Sequence, residues 1–247
     1  MFTSKKFLSD GMGVDPEIAA FFVDRKVPAD NLYWAGRLLY VAKGTGFLFL
    51  PLFFDLQYRS GADKAVLLSE PYVGLMEAIL DSAARYEREQ QDFNAHVANC
   101  RGLVAGKIAN RDLYEDLVFY FGENGLRPYK MLGTPSMALN RGDTLLFLLC
   151  ALAPEKARVG EIIRDWYALV PSFLLMDDVM DLEEDKARGE ENSIGDFGEG
   201  GEGVRNAIAY LHENFARLRS VNEKLGAYFE DSLQEKLETP YLQFLIK

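Results

Sequence analysis

Apolar residues recur along most of this chain at the three- and four-residue spacing of a helix, without convincing strand-like alternation. The clearest stripe runs from Val159 through Trp166 and Phe173, and it continues on the same helical face to Asp177. The segment before it, residues 143–152, is apolar on every side, which is typical of a fully buried helix. The pattern therefore predicts an all-α protein.

Capping and helix-breaking residues predict where the helices begin and end. Ser69-Glu-Pro71 is expected to open a helix that runs to about Asn99, and Asn110 to cap one that ends near Tyr120. Pro154 is expected to begin the helix that leads to Asp177. The glycine-rich residues 189–203 predict a flexible loop, and a last long helix follows from Val204.

Length and composition favour one large domain over residues 1–247, because 49% of the residues are hydrophobic and no linker divides the chain. The net charge of −11 argues against nucleic-acid binding, which needs basic patches. Two cysteines and two histidines make a disulfide framework or a zinc site improbable. The apolar run at residues 47–54 is too short to span a bilayer, and the N-terminus lacks the apolar core of a signal peptide. We expect a cytoplasmic protein without stable membrane insertion.

The negative charge is concentrated where the apolar stripe ends. Residues 177–202 hold eleven acids and two bases, a net charge of −9. Asp177, Asp181 and Asp185 follow one another at four-residue spacing with Asp178 beside them, so like charges repel. The helix dipole also disfavours anions near a C-terminus. A cation would relieve both costs, and Mg²⁺ binds oxygen ligands together with substrate phosphates. The sequence therefore predicts a Mg²⁺ site here.

The segment Asp177-Asp-Val-Met-Asp181-Leu-Glu-Glu-Asp185 resembles the second aspartate-rich motif of trans-prenyl diphosphate synthases. Its continuation into Arg188-Gly189 resembles the second motif of squalene and phytoene synthases, and Thr144 resembles part of a Lys-Thr segment, with Asp143 in place of the lysine. These families belong to the class I isoprenoid synthase superfamily. The resemblance implies a helical bundle around an apolar cavity and Mg²⁺-dependent ionisation of an allylic prenyl diphosphate, followed by prenyl transfer, condensation or terpene cyclisation.

The resemblance implies metal binding by Asp177, Asp178 and Asp181, with Asp185 acting directly or behind them. The first aspartate-rich motif of the family is absent from this sequence. Glu77 and Asp81, four residues apart, are the best substitute for it on a facing helix.

The resemblance also implies residues that bind the diphosphate and residues that stabilise the allylic cation. Cationic and aromatic side chains are the candidates, because guanidinium groups bind phosphate and aromatic rings stabilise carbocations. The candidate diphosphate-binding residues are Arg188, Arg127, Lys130 and Arg141. The candidate cavity-lining residues are Trp166, Phe173, Phe147, Tyr120 and Thr144.

Several alternatives remain open from the sequence alone. The aspartates could form a solvated helix end, Glu77 and Asp81 could belong to an ion-paired surface stripe, and the aromatic residues could be core. The protein could keep the isoprenoid synthase fold without catalysis, and act by binding a ligand or a partner. An exposed apolar patch around residues 47–54 would instead indicate a peripheral membrane or partner-binding module. A homodimer is also possible.

Overall fold

A computed structural model of the chain describes residues 4–34, 45–122, 126–153, 157–190 and 192–246. Helices account for its regular structure, and within these ranges there is no strand, although an isolated bridge joins Tyr129 and Leu132. The prediction of an all-α protein is therefore confirmed. None of the helices in these ranges is long and apolar enough to cross a membrane.

The described residues form ten α-helices. They are α1 (Pro16–Asp24), α2 (Thr45–Arg59), α3 (Lys64–Leu67), α4 (Glu70–Glu87), α5 (Phe93–Val104), α6 (Arg111–Tyr120), α7 (Val159–Arg188), α8 (Gly200–Val221), α9 (Glu223–Leu237) and α10 (Pro240–Leu245). A π-helical turn covers Phe7–Gly11, and 3₁₀ segments cover Leu32–Trp34, Ala138–Asn140, Asp143–Ala151 and Ser193–Phe197.

Helix α7 carries the predicted apolar stripe and packs against α2 and α8, while α9 packs against α8. Val159, Ile163 and Trp166 are buried along the stripe, whereas Val170 and Phe173 are half-buried. The helix ends at Gly189, which adopts a left-handed conformation (φ 68°) that glycine reaches without strain. The aspartates therefore lie in its last three turns.

The single helix expected from Ser69 to Asn99 is wrong, because the structure divides this segment into α4 and α5. Glu89 has a positive φ of 57°, which interrupts the helix. The Asp92 side chain then accepts a hydrogen bond from the Ala95 N–H at 2.7 Å and starts α5. The last long helix is divided in the same way at Asn222, which caps α9 by accepting from the Leu225 N–H.

The segment at 143–151 is buried as predicted but is a 3₁₀ helix. The glycine-rich loop is also more ordered than expected, because it contains the 3₁₀ turn Ser193–Phe197 and the start of α8. A Cβ atom on Gly203 would lie 2.2 Å from the Gly198 carbonyl oxygen. This glycine therefore allows a close approach of two backbone segments. Glycine content alone does not show whether a segment is flexible or closely packed in this way.

Candidate functional site

A pocket of about 210 Å³ lies between α4, α7 and the 3₁₀ segment Asp143–Ala151. Most of its wall is apolar, with aromatic rings from Tyr33, Phe49, Trp166 and Phe173. Its polar side chains are Glu87, Arg141, Thr144 and Asp177. The remaining lining residues are Ile79, Leu80, Ala83, Gly142, Leu145, Val170 and Leu174.

One face of α7 forms a wall of this pocket along its length. Trp166, Val170, Phe173 and Asp177 all line it at three- and four-residue spacing. The eleven-residue separation of Trp166 and Asp177 corresponds to roughly 16 Å along the helix axis. The wall therefore changes from a buried indole to an exposed carboxylate.

Asp177 sits in a strongly negative environment. Partial burial raises the pKa of its carboxyl group, and the nearby carboxylates of Asp181 and Asp178 raise it further, while Lys236 opposes the increase. Asp177 also borders a second depression on the α9 side, of about 360 Å³, together with Lys236 and Thr239. A cation or a proton at Asp177 would relieve this concentration of charge.

Two of the other three α7 aspartates from the predicted metal site, Asp178 and Asp185, hold the chain that follows the helix. The Asp178 side chain is buried and accepts a hydrogen bond from the Ser193 N–H at 2.9 Å. Asp185 accepts one from Asn192 Nδ2 at 2.7 Å, and the same amide donates to the Asp178 carbonyl oxygen. Both carboxylates therefore stabilise the 192–193 segment, a role that the DDxxD pattern does not indicate.

Asp177 and Asp181 are exposed, and neither carboxylate accepts a hydrogen bond from the residues that the structure describes. In those ranges no three His, Cys, Asp or Glu side chains converge as they would around a metal held by protein ligands alone. The two carboxylates fit an ion that is held mainly by water and by a bound anion, as Mg²⁺ often is.

Glu77 and Asp81 do not face Asp177 across the pocket. Glu77 is buried, and its carboxylate binds Arg25 Nε at 2.9 Å. Asp81 accepts from the Leu32 N–H at 2.7 Å and pairs with Arg85 at 2.9 Å. Both residues therefore attach α4 to the N-terminal segment, and neither lines the pocket.

Glu87, which the sequence analysis missed, is the α4 carboxylate that does line the pocket. Burial raises its pKa, and Arg141 and then Arg88 oppose the increase. Glu87 lies four residues after Ala83 and seven after Leu80, so it extends the face of α4 that lines the pocket. Following this apolar stripe, instead of searching for an acidic pair, would have found it.

Of the four predicted diphosphate-binding residues, Arg141 lines the pocket and the others do not. Arg188 pairs with Glu184 on the exposed side of α7, and Lys130 pairs with Asp116 at 2.7 Å. Arg127 is exposed. Lys236 beside Asp177 is a cation that the sequence analysis did not select.

The predicted cavity-lining residues also divide into two groups. Trp166, Phe173 and Thr144 line the pocket. Phe147 and Tyr120 are fully buried in the core, where Phe147 stacks on Phe121 with ring centroids 5.4 Å apart.

A buried carboxylate, Asp143, holds the pocket-lining residue Trp166 by a hydrogen bond from the core side. It accepts hydrogen bonds from Trp166 Nε1 at 2.8 Å and from the hydroxyl groups of Tyr120 at 2.6 Å and Tyr167 at 2.7 Å. Burial raises the pKa of Asp143 to about 6, although its three donors oppose the increase. Where the resembling families carry a lysine, this chain therefore holds an acid that orients the Trp166 indole.

No family model, curated protein or solved structure matches the chain. Assignment of a function therefore depends on the pocket and on the residues around it.

Proposed function

We propose that the protein binds an allylic prenyl diphosphate in the α4–α7 pocket and promotes its Mg²⁺-dependent ionisation. The observation that supports this proposal is the polarity of the α7 wall, which is apolar from Trp166 to Phe173 and acidic at Asp177. A prenyl chain and its diphosphate have the same succession of apolar and charged parts. The resemblance of the 177–189 segment to class I isoprenoid synthases supports the same assignment and an isoprenoid synthase-like fold.

Asp177 and Asp181 are the residues that would hold Mg²⁺, because they are exposed carboxylates at four-residue spacing. When bound, Mg²⁺ would neutralise the charge that develops on the diphosphate leaving group. Asp178 and Asp185 would not bind the metal themselves but would hold the segment after α7 in place. This assignment replaces Glu77 and Asp81 with Glu87 as the acid on the opposite wall.

Two cations border the pocket or its rim and are the proposed diphosphate contacts. Arg141 lines the pocket, and a planar guanidinium group matches phosphate oxygens in pairs. Lys236 lies on the α9 side of Asp177 and would add a second positive charge. Lys236 would offset the negative charge around Asp177 when the anion enters, and Arg141 acts on Glu87 at the α4 wall.

The apolar wall would exclude water from the allylic cation. The Trp166 indole is held by Asp143 at one edge and packs against the Phe53 ring with centroids 4.8 Å apart, so its orientation is fixed. Aromatic faces of this kind stabilise cations. Prenyl transfer, condensation and cyclisation remain the outcomes to be separated, and a cytoplasmic location and a homodimer stay predictions.

The test is diphosphate release from geranyl, farnesyl and geranylgeranyl diphosphates with Mg²⁺, each with and without isopentenyl diphosphate. We expect release by the wild type and at least a tenfold loss in Asp177→Asn, an effect of about 1.4 kcal/mol on the barrier. Glu183→Gln, which removes an exposed acid elsewhere on α7, is the matched control. Dependence on isopentenyl diphosphate would separate transfer from cyclisation.

A second candidate function is ligand binding without catalysis. It is favoured by the engagement of four predicted metal ligands, Glu77, Asp81, Asp178 and Asp185, in hydrogen bonds or ion pairs within the protein. Binding of a prenyl diphosphate by folded protein, without release from any of the three substrates, would support this candidate over the first.

A further inference from the structure

A row of hydrogen-bonded polar side chains lies behind the pocket wall and ends at Thr144. His96 Nε2 lies 3.0 Å from Thr144 Oγ1, and His96 Nδ1 lies 2.8 Å from Ser82 Oγ. Gln91 Nε2 lies 3.0 Å from the same serine oxygen. Thr144, His96 and Ser82 are at most 5% exposed, so the direction of each hydrogen bond matters energetically.

The direction of the row is set at its outer end. Gln91 Nε2 donates to the Ser82 carbonyl oxygen at 2.6 Å, an atom that can only accept. Asn99 Nδ2 donates to Gln91 Oε1 at 2.7 Å, which agrees with this orientation of the amide. Gln91 therefore also donates to Ser82 Oγ, and the Ser82 hydroxyl proton is left to donate to His96 Nδ1.

The Ser82 hydrogen bond determines which His96 nitrogen carries the proton, and therefore which group donates to Thr144 Oγ1. Burial lowers the pKa of His96 to about 4, so its ring is neutral near pH 7 and carries one N–H. Because Nδ1 accepts from Ser82, the proton lies on Nε2 and is donated to Thr144 Oγ1. Cys100 Sγ is farther from Nδ1, at 3.7 Å, and would be a weaker donor.

The Thr144 hydroxyl proton is therefore not used in the hydrogen bond with His96. The Thr144 side chain makes one hydrogen bond with the described part of the chain, the one it receives from His96. Thr144 also lines the pocket. The space available to its proton is therefore the pocket itself, where most of the neighbouring side chains are apolar and offer no acceptor.

We propose that Thr144 is a specificity-determining hydrogen-bond donor, and that the ligand of this pocket carries an oxygen acceptor that meets it inside the apolar wall. A ligand without such an oxygen would leave the donor unpaired, which lowers affinity. The proposal rests on the pocket being a ligand site, as the proposed function does, but it needs no diphosphate chemistry. It favours a ligand with an oxygen on its apolar part over the plain prenyl chains of the three substrates named above. Absence of diphosphate release would leave it intact.

The first test is ¹⁵N NMR of the His96 ring, with the His212 signals identified from a His212→Gln variant. We expect the tautomer with the proton on Nε2. A proton on Nδ1 would overturn the proposal, because Nε2 would then accept the Thr144 proton and no donor would face the pocket.

The second test compares acetophenone with α-methylstyrene, which differ mainly by an oxygen in place of a methylene group. In Thr144→Val, an isosteric change, we expect the acetophenone dissociation constant to rise about fivefold and that of α-methylstyrene to change less than about twofold. Thr144→Ser should keep the wild-type values for both probes. Equal effects of Thr144→Val on the two probes, no effect on either, or failure of both to bind folded wild type would each overturn the proposal.

Discussion

Individual carboxylates of α7 differ in role because they project from different sides of one helix. Asp177 faces the pocket, whereas Asp178, one residue later, faces the 192–193 segment and is buried there. Successive residues are about 100° apart around a helix, so adjacent identical residues meet different surroundings. A DDxxD pattern thus identifies the helix end but not which aspartates are free to bind a ligand.

Asp143 should make stability depend on pH. Burial raises its native pKa to about 6 from an ordinary 3.8, so its contribution is complete below pH 3.8 and is lost as pH rises through about 6. The residue in Asp143→Asn does not titrate in this range. The wild type should therefore lose stability relative to Asp143→Asn between about pH 4 and about pH 6, as measured by urea unfolding. A constant difference between the two proteins over that range would contradict this.

At the scale of elements, helix ends and close contacts decide the arrangement around the pocket. The segment after α7 is held by Asp178 and Asp185, and α9 approaches α8 where Gly226 leaves room. The sequence predicted the helical class and the α7 stripe correctly, because both depend on a periodicity that is visible locally. It missed the break between α4 and α5, since Asp92 capping and the strained Glu89 outweigh an otherwise continuous pattern.

The site was only partly predictable for a related reason. Asp177, Trp166 and Phe173 were found because they belong to one helical stripe. Glu87 was missed because the local apolar stripe of α4 was not followed to its end. Lys236 was missed because its position beside Asp177 depends on how α9 packs near α7, which no local pattern encodes. The acidic pair Glu77/Asp81 had the expected spacing, but the N-terminal segment covers its face of α4.

Asp178→Ala should destabilise the protein by about 1–2 kcal/mol, because the buried Ser193 N–H loses its acceptor. Asp181→Ala should cause no loss of stability, since it removes an exposed acid from a repulsive cluster. Chemical denaturation of the two variants in parallel measures both changes in stability. Equal stability of the two variants would argue against a structural role for Asp178.

Gly226→Ala should destabilise the α8–α9 pair by about 1–3 kcal/mol through overpacking. The added Cβ would lie 2.4 Å from Arg219 Cβ and 2.6 Å from its Cα. Gly74→Ala in α4 is the matched control, because nothing lies within 4 Å of its added Cβ, and it should gain about 0.5–1 kcal/mol. Thermal unfolding of both variants measures the contrast, and a stabilised Gly226→Ala would show that the helices separate easily.

At the scale of the whole molecule, distant parts of the chain meet at Asp55 in α2. This fully buried carboxylate accepts from the Asp15 N–H at 2.8 Å, from Arg59 Nε at 2.6 Å and from Asn222 Nδ2 at 3.2 Å. It therefore joins the start of α1 to the turn between α8 and α9. Asn222 Nδ2 also donates to the Met12 carbonyl oxygen at 3.0 Å, so a small polar network around Asp55 couples these two parts of the fold.

Asp55→Ala should consequently lower the free energy of unfolding by about 1–3 kcal/mol, because the Asp15 N–H loses its acceptor and Arg59 Nε and Asn222 Nδ2 each lose a hydrogen bond. The control Asp24→Ala removes an exposed partner of Lys5 and should change the free energy of unfolding by less than about 1 kcal/mol. Urea unfolding of both variants compares them. If Asp55→Ala were as mild as the control, Asp55 would not be the main link between the start of α1 and the α8–α9 turn.

The most direct test of the proposed site is calorimetric titration with farnesyl thiolodiphosphate, whose bridging sulfur slows ionisation, in the presence and absence of Mg²⁺. We predict Mg²⁺-dependent binding by the wild type, weakened at least tenfold, or about 1.4 kcal/mol, in Asp177→Asn/Asp181→Asn. Glu183→Gln should bind as the wild type does. Binding that is independent of Mg²⁺, or that survives unchanged in the double variant, would contradict a metal-diphosphate site at the end of α7.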